Sequence, residues 1–210
     1  MGKKRNFGFK KTEFDGTEYI FSAPQMDSPL PEKYSYKKYL PGPVNQGNNP
    51  ICVPCSISAF INWAENLHDG NVKDNHIAYF DIYDSKTTDG EGMTFKEAFK
   101  YLKNIGVSTD NRVFKIKKYS LVKSMLGLKS ALIMNGPCVG ALPVYNWDDD
   151  FWIKKPGNSL VGYHAISIAG YDSDGIIIRN SWGYSYGNEG YSKLNWEDLN
   201  KFVEIWTVVD

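Results

Sequence analysis

Residues 160–182 read LVGYHAISIAGYDSDGIIIRNSW. Two runs of β-branched, apolar and aromatic residues, 160–171 and 175–182, flank Asp172-Ser173-Asp174-Gly175. Those four residue types favour a tight turn, so the stretch is expected to form a β-hairpin. A hairpin sets positions of its two arms side by side. His164 in the first arm and Asn180 in the second, sixteen residues apart, are therefore expected to meet. A carboxamide oxygen that accepts from one imidazole N–H fixes the tautomer and orientation of the ring and assigns proton transfer to the other nitrogen.

The neighbouring segments carry the same strand texture. CVGALPV at 138–144 and VEIWTVV at 203–209 are short runs of strand-forming residues. The first half of the chain is helical in pattern instead. Ile57, Phe60, Ile61 and Ala64 fall at i, i+3, i+4 and i+7, a helix that opens at Cys52 and that Asp69-Gly70 can stop. Thr94 and Glu97 form a T-x-x-E capping box before an apolar face of Phe95, Ala98, Phe99 and Leu102, ended by Gly106. A weaker helix runs from Leu128 to Met134 and stops at Asn135-Gly136-Pro137. Helices first and strands second make an α+β chain, not an alternating βαβ one. Ahead of them, residues 1–22 are basic and then alternating, with an Asp15-Gly16 turn signal and a possible strand in FDGTEYIF. Residues 23–45 hold five prolines and read as an extended lead-in. The organisation expected is an N-terminal extension over 1–30, an arm or short pro-segment, followed by one domain over 31–210.

Composition bounds the function. The chain has 210 residues, long enough to bury a core without disulfide staples, and 24 Lys+Arg balance 24 Asp+Glu. A dedicated nucleic-acid binder carries a basic excess, so no nucleic-acid partner is expected. No apolar run reaches the ~20 residues of a membrane span, and no signal peptide follows the basic N-terminus. Cytoplasmic or phage-associated location is the expectation. Three cysteines, Cys52, Cys55 and Cys138, are an odd and sparse set that does not make a disulfide framework. Cys138 reads as a small core hydrophobe, His68 and His76 as structural, and Asp148-Asp149-Asp150 as a solvated loop and not a metal site.

Cys52 is different because of where it stands. The first turn of a helix presents unpaired N–H groups and the positive end of the macrodipole, which lower a thiol pKa and favour the nucleophilic thiolate. Six residues earlier, Gln46-Gly47 offers a side-chain amide that can donate to an oxygen developing negative charge. A thiol, an oriented imidazole and an oxyanion donor are the parts of nucleophilic acyl transfer.

QGNNPIC, GYHAISIAGY and NSWG followed by YGNEGY resemble the papain-type cysteine peptidase family. The order Gln, Cys, His, Asn and the intervals of six and sixteen match its pattern, from about Pro31 to the C-terminus. The resemblance implies a two-lobed fold, a helical half and an antiparallel β-barrel-like half with the active cleft between them. It implies Cys52 as nucleophile, His164 as acid and base, and Asn180 as the group that orients the histidine. Gln46 and the Cys52 N–H would form the oxyanion hole, Trp182 would shield the His–Asn bond, and Gly92 would pair with substrate backbone. No metal and no organic cofactor is implied, and the partner is a polypeptide substrate, with a phage- or cell-wall-associated assembly partner as a further expectation. Cys55 offers a second register, but it stands nine residues from Gln46 and needs an insertion of three.

Two other classes compete. A papain-fold assembly or virion component would keep the fold without requiring the chemistry. A dithiol oxidoreductase would use Cys52-Val53-Pro54-Cys55, but that motif normally follows an apolar strand, and NQGNNPI is polar. The oxidoreductase also leaves NSWG without a role.

Overall fold

Helix α1, Cys52–Asp69, is the axis on which the other elements are hung. The computed structural model describes residues 7–25, 28–70, 72, 79–84, 92–110 and 112–210. The helix ends as expected, at Gly70 in the left-handed conformation with φ 71° and its N–H on the Asn66 carbonyl. Ile57, Phe60, Ile61 and Ala64 are buried, but so are Cys52, Val53, Cys55, Ser56, Ser58 and Ala59. A helix covered on every side is central, not superficial. Its serines are satisfied within the helix, Ser56 Oγ donating to the Val53 carbonyl at 2.8 Å and Ser58 Oγ to the Cys55 carbonyl at 2.6 Å.

Three further helices follow, α2 over Tyr79–Asp84, α3 over Phe95–Asn104 and α4 over Met125–Asn135. The capping box of α3 closes in both directions: Thr94 Oγ1 accepts from the Glu97 N–H at 3.1 Å, and Glu97 Oε2 accepts from the Thr94 N–H at 2.9 Å. Helix α4 begins a turn earlier than Leu128, because Ser124 Oγ caps it by accepting the Gly127 N–H at 3.0 Å.

The strands are β1 (Tyr34–Ser35), β2 (Val107–Ser108), β3 (Val113–Phe114), β4 (Lys118–Leu121), β5 (Cys138–Val144), β6 (Gly162–Tyr171), β7 (Gly175–Arg179), β8 (Tyr191–Asn195) and β9 (Glu204–Val209). Strands β2 and β3 pair with each other, and the rest form one antiparallel sheet in the order β4-β9-β5-β6-β7-β8, with β1 laid on β6. Among the described residues this sheet is open, where the resemblance implied something barrel-like. Strand β5 shows how it divides the core. Val139 and Ala141 join α1 and α3, whereas Cys138, Leu142 and Val144 join α4 and the β6–β7 hairpin on the other face. Strand β6 is tied directly to the central helix, Ser167 Oγ donating to the Ser56 carbonyl at 2.6 Å.

The hairpin turn forms at Asp172–Gly175, with Asp172 Oδ1 accepting the N–H groups of Asp174 and Gly175 at 3.0 and 3.1 Å. The proline-rich lead-in is pinned to the hairpin by buried Arg179, whose Nη2 donates to the Gly42 carbonyl at 2.8 Å. From there it pairs with the segment after β7: Gly183 N–H to the Val44 carbonyl at 3.0 Å and Gln46 N–H to the Ser181 carbonyl at 2.9 Å.

Residues 7–21 do not form the strand suggested by FDGTEYIF. They run as an arm with two backbone attachments. Met93 N–H donates to the Gly8 carbonyl at 2.8 Å and Lys10 N–H to the Met93 carbonyl at 2.9 Å, a parallel pairing. Farther on, Leu121 N–H donates to the Tyr19 carbonyl at 2.8 Å and Phe21 N–H to the Leu121 carbonyl at 2.7 Å. Between them Thr12 N–H reaches buried Glu204 Oε1 at 3.0 Å, and Lys96 Nζ holds Glu18 at 2.7 Å and Asp15 at 3.4 Å.

Candidate active site

Asn180 leaves the end of β7 with its own N–H on the Gly190 carbonyl at 3.0 Å, which aims its side chain back at β6. His164 Nε2 lies 2.8 Å from Asn180 Oδ1. That oxygen also accepts the Ser181 N–H at 2.7 Å. An atom taking a backbone N–H is an acceptor, so the imidazole hydrogen sits on Nε2. The histidine is fully buried in an aromatic box. Trp182 stacks on it with centroids 4.8 Å apart and planes at 27°, and Phe151 meets it edge-on at 5.7 Å. With water kept out, the His–Asn hydrogen bond lies in a low local dielectric, where it is strong.

Gln46 is 2% exposed and clamped at both ends of its amide. Its Oε1 accepts from Ser181 Oγ at 2.5 Å, and its Nε2 donates to the Asn49 carbonyl at 3.0 Å. The amide plane is thereby fixed, with the second Nε2 hydrogen on the side away from Asn49. Gly47, at φ 58°, makes the turn by which the chain reaches α1.

Cys52 is the first residue of α1, after Ile51 at the N-cap position, and Pro54 occupies the third position, where a missing N–H breaks no helical bond. The sulfur is faced by the backbone N–H groups of Ala165, Gly8, Cys52 itself and Val53. Ala165 directly follows His164, so this contact places the helix end against the strand that carries the imidazole. The expectation of a lowered thiol pKa is not met in this conformation. Burial pushes Cys52 up to about 11, outweighing those four donors. Part of the cover is the arm. A Cβ on Gly8 would lie 1.7 Å from the Pro50 carbonyl oxygen, and a Cβ on Gly92 would lie 2.4 Å from the Gly8 carbonyl. Two glycines thus let the arm pass between the residues before Cys52 and those before α3. Gly92, expected to pair with substrate backbone, is followed by Met93, whose backbone pairs with the chain's own arm at Gly8 and Lys10.

Cys55 and Cys138 are free and buried like Cys52. Burial raises the Cys138 thiol to about 12 and pushes Cys55 higher still. His76 lies outside the described residues, and His68 is on α1. The aspartate run is a braced loop: Lys155 Nζ bonds Asp148 and Asp150 at 2.8 and 3.0 Å, and Asp149 Oδ1 accepts the Gly187 N–H at 2.9 Å. Among the described residues no group of three or more His, Cys, Asp or Glu side chains is placed to hold a metal ion, and no helix is long and apolar enough to cross a membrane.

Several members of the site were not anticipated. Ser181 positions Gln46, Phe151 closes the box around His164, and Phe7 and Trp147 stack beside it with centroids 5.4 Å apart. Ser181 had a signal, since it stands inside NSWG. Phe151 and Trp147 had none, because they come from a loop whose return over His164 no local pattern encodes.

Solved structures share this architecture. Xylellain, a cysteine protease from Xylella fastidiosa, superposes with a TM-score of 0.80 at 21% identity, covering 100% of this chain and 98% of that one. The procathepsin B S9 of Trypanosoma congolense superposes with a TM-score of 0.77 at 15% identity, covering 98% of this chain and 85% of that one. Among curated proteins, a gut-specific cysteine proteinase of Caenorhabditis elegans is 29% identical over 91 residues, which are 39% of this chain and 27% of that protein. Cathepsin B-like cysteine proteinase 1 of Haemonchus contortus is 31% identical over 86 residues, 36% of this chain and 24% of that protein. The chain therefore spans about a quarter of the length of these curated relatives. The family model of the papain family cysteine proteases matches residues 69–205, well over half of the chain, including His164 and Asn180 and beginning after Cys52. On that match, the chain belongs to the papain family of cysteine proteases.

Proposed function

We propose that this chain is a cysteine endopeptidase whose nucleophile is Cys52 and whose acid and base is His164. The observation that carries the reading is the 2.8 Å bond from His164 Nε2 to Asn180 Oδ1, on a strand whose next N–H, that of Ala165, faces the Cys52 sulfur. With Nε2 engaged, Nδ1 is the nitrogen that exchanges the proton. In the first half-reaction the Cys52 thiol gives its proton to His164 Nδ1, and the resulting thiolate attacks a peptide carbonyl carbon. The oxyanion is met by the Cys52 N–H and the second Nε2 hydrogen of Gln46. The imidazolium then gives its proton to the departing amine as the C–N bond breaks, leaving a thioester. In the second half-reaction His164 takes a proton from water as the hydroxide adds to the thioester, the C–S bond breaks to release the carboxylic acid, and His164 returns the proton to the sulfur. No metal or organic cofactor enters these steps. Trp182, stacked on the imidazole, holds water away from the His–Asn bond.

The same reading makes residues 1–30 a pro-segment or arm that keeps the enzyme closed. The group offered to the sulfur by the arm is the Gly8 N–H, not a carbonyl carbon, so the arm occupies the cleft without being cut there. The substrates are polypeptides. A bacterial or phage setting, with a cell-wall or phage assembly as neighbour, is supported only by the similarity in fold to the bacterial Xylellain. Hydrolysis of a mixed peptide library, followed by mass spectrometry, tests the reading. Internal cleavages that disappear in Cys52→Ser are expected; cleavage that persists in that variant contradicts it.

A further inference from the structure

The arm's first described residue occupies a slot of its own. The Phe7 ring lies parallel to Trp147, with centroids 5.4 Å apart and planes at 10°, and presents its edge to His164 at 6.1 Å and 63°. Trp147 is backed in turn by Trp182 at 6.4 Å. The third side of the slot is Gly162, the first residue of β6. A Cβ there would lie 3.1 Å from Phe7 Cδ2, so the missing side chain is what gives the ring its room.

The slot is built and not merely filled by chance contact. Trp147 sits on the loop joining β5 to β6, and that loop is cross-braced. Tyr145 N–H donates to the Phe151 carbonyl at 2.9 Å, Asn146 Nδ2 to the Ile153 carbonyl at 3.0 Å, and Asp148 N–H to Asn146 Oδ1 at 2.8 Å. Lys155 ties Asp148 to Asp150 across the same loop. Trp147 remains 38% exposed, so its ring is reached from solvent.

The arm also orients the slot relative to the chemistry. Gly8 is the residue at the Cys52 sulfur, Phe9 and Lys10 lie on the Met93 side of it, and Phe7 lies on the His164 side. A general acid must stand beside the nitrogen it protonates. The His164 side of the thiol is therefore the side of the departing amine. We infer that the slot of Trp147, Gly162 and the His164 ring is a subsite for an aromatic side chain on the substrate residue that follows the scissile bond, occupied in the closed chain by Phe7. The inference rests on the peptidase reading and adds a substrate class to it. Parallel and edge-on ring contacts of this kind favour aromatic over aliphatic side chains, and the floor at Gly162 sets the width of one ring.

The test uses the chain carrying Phe7→Ala together with Gly8→Ala, so that the arm's ring no longer competes and the cover over Cys52 is lifted. Internally quenched peptides differing only in Phe or Ala after the scissile bond should be cleaved with kcat/KM about tenfold in favour of Phe. Adding Trp147→Ala, or filling the slot with Gly162→Leu, should bring that ratio close to one, with folding checked by circular dichroism. A second readout needs no turnover. Phenylalaninamide, the free amine end of such a substrate, should bind the same chain saturably by tryptophan fluorescence, about tenfold more tightly than alaninamide, and lose that advantage when Gly162→Leu is added. If phenylalaninamide binds in this manner but no peptide is cleaved, the subsite stands and the peptidase reading falls. If peptides are cleaved with a Phe/Ala ratio near one in the Phe7→Ala/Gly8→Ala chain, or if the amides bind alike, the subsite is overturned.

Discussion

The β6–β7 hairpin and the first turn of α1 supply the two halves of the candidate site in opposite ways. The hairpin carries its half locally: His164 and Asn180 are joined at 2.8 Å by one turn and sealed by Trp182, two residues beyond Asn180. The thiol half is assembled from distant chain. Cys52 receives N–H groups from its own helix, from β6 and from the arm, and Gln46 is held through Ser181, 135 positions away. A half-site made by local structure is complete whether or not the cleft is open. A half-site made by long-range contacts can be covered by one of them, and Gly8 is that cover. On the proposed reading, the chain holds an oriented base beside a thiol that burial keeps protonated at neutral pH.

The largest effect should come from the thiol itself. Cys52→Ser is expected to lower peptide hydrolysis by at least about a thousandfold, because the nucleophile and its base act as a unit. Cys55→Ser should retain most activity in steady-state assays once folding is verified, since a hydroxyl in that dry site costs about 1–2 kcal/mol of stability. Reversal of those two outcomes would move the nucleophile one helical turn.

Asn180→Ala tests the hairpin half alone. It should reduce kcat by about a hundredfold, the lower part of the range for a misplaced acid–base, while iodoacetamide still alkylates Cys52. Full kcat in this variant would show that the 2.8 Å bond does not orient the base.

The cover is tested by substitutions that it cannot accommodate. A Cβ at Gly8 meets the Pro50 carbonyl, and one at Gly92 meets Gly8, so both Gly8→Ala and Gly92→Ala should lift the arm while altering opposite sides of the contact. Only the thiolate reacts with iodoacetamide, and a thiol with a pKa of about 11 is protonated at neutral pH. Alkylation of the parent should therefore be slow at pH 7 and climb until about pH 11, whereas either variant should react about tenfold faster at pH 7 and level off at lower pH. Identical profiles for parent and variants would mean that the arm is not what masks the thiol. Lys96→Ala loosens only the partly exposed clasp on Asp15 and Glu18, and should speed alkylation by less than about threefold, with the difference shrinking in salt.

Much of this was legible in the sequence because it is encoded locally. The hairpin, the Thr94 capping box and the Gly70 stop each depend on residues within a few positions of one another. Helix α4 starts a turn before Leu128 because Ser124 caps it, a signal that is also local. Strands β4 and β8 were not anticipated: Lys118–Leu121 and Tyr191–Asn195 are short, and they become strands through their partners β9 and β7. The candidate residues given by chain order, Cys52, His164, Asn180, Gln46 and Trp182, are legible as a motif, and the structure joins His164 to Asn180 and to Trp182. The thiol's environment is not legible in this way. Helix position argues for a low pKa, but burial reverses the sign; part of that cover is the arm, which meets the thiol at Gly8, 44 residues upstream, and no short window of sequence contains that contact. Trp147 and Phe7 escaped for the same reason.

The central claim, that Cys52 performs acyl transfer with the His164–Asn180 pair, is tested most directly by trapping the intermediate. The full-length Gly8→Ala chain is mixed with an activated peptide ester, quenched in acid within seconds, digested and mapped by mass spectrometry. The expected result is one acyl group, on Cys52, that decays in the Gly8→Ala chain and persists longer when Asn180→Ala is added. An acyl group on Cys55, or turnover of the ester with no adduct on Cys52 at any time, would contradict it.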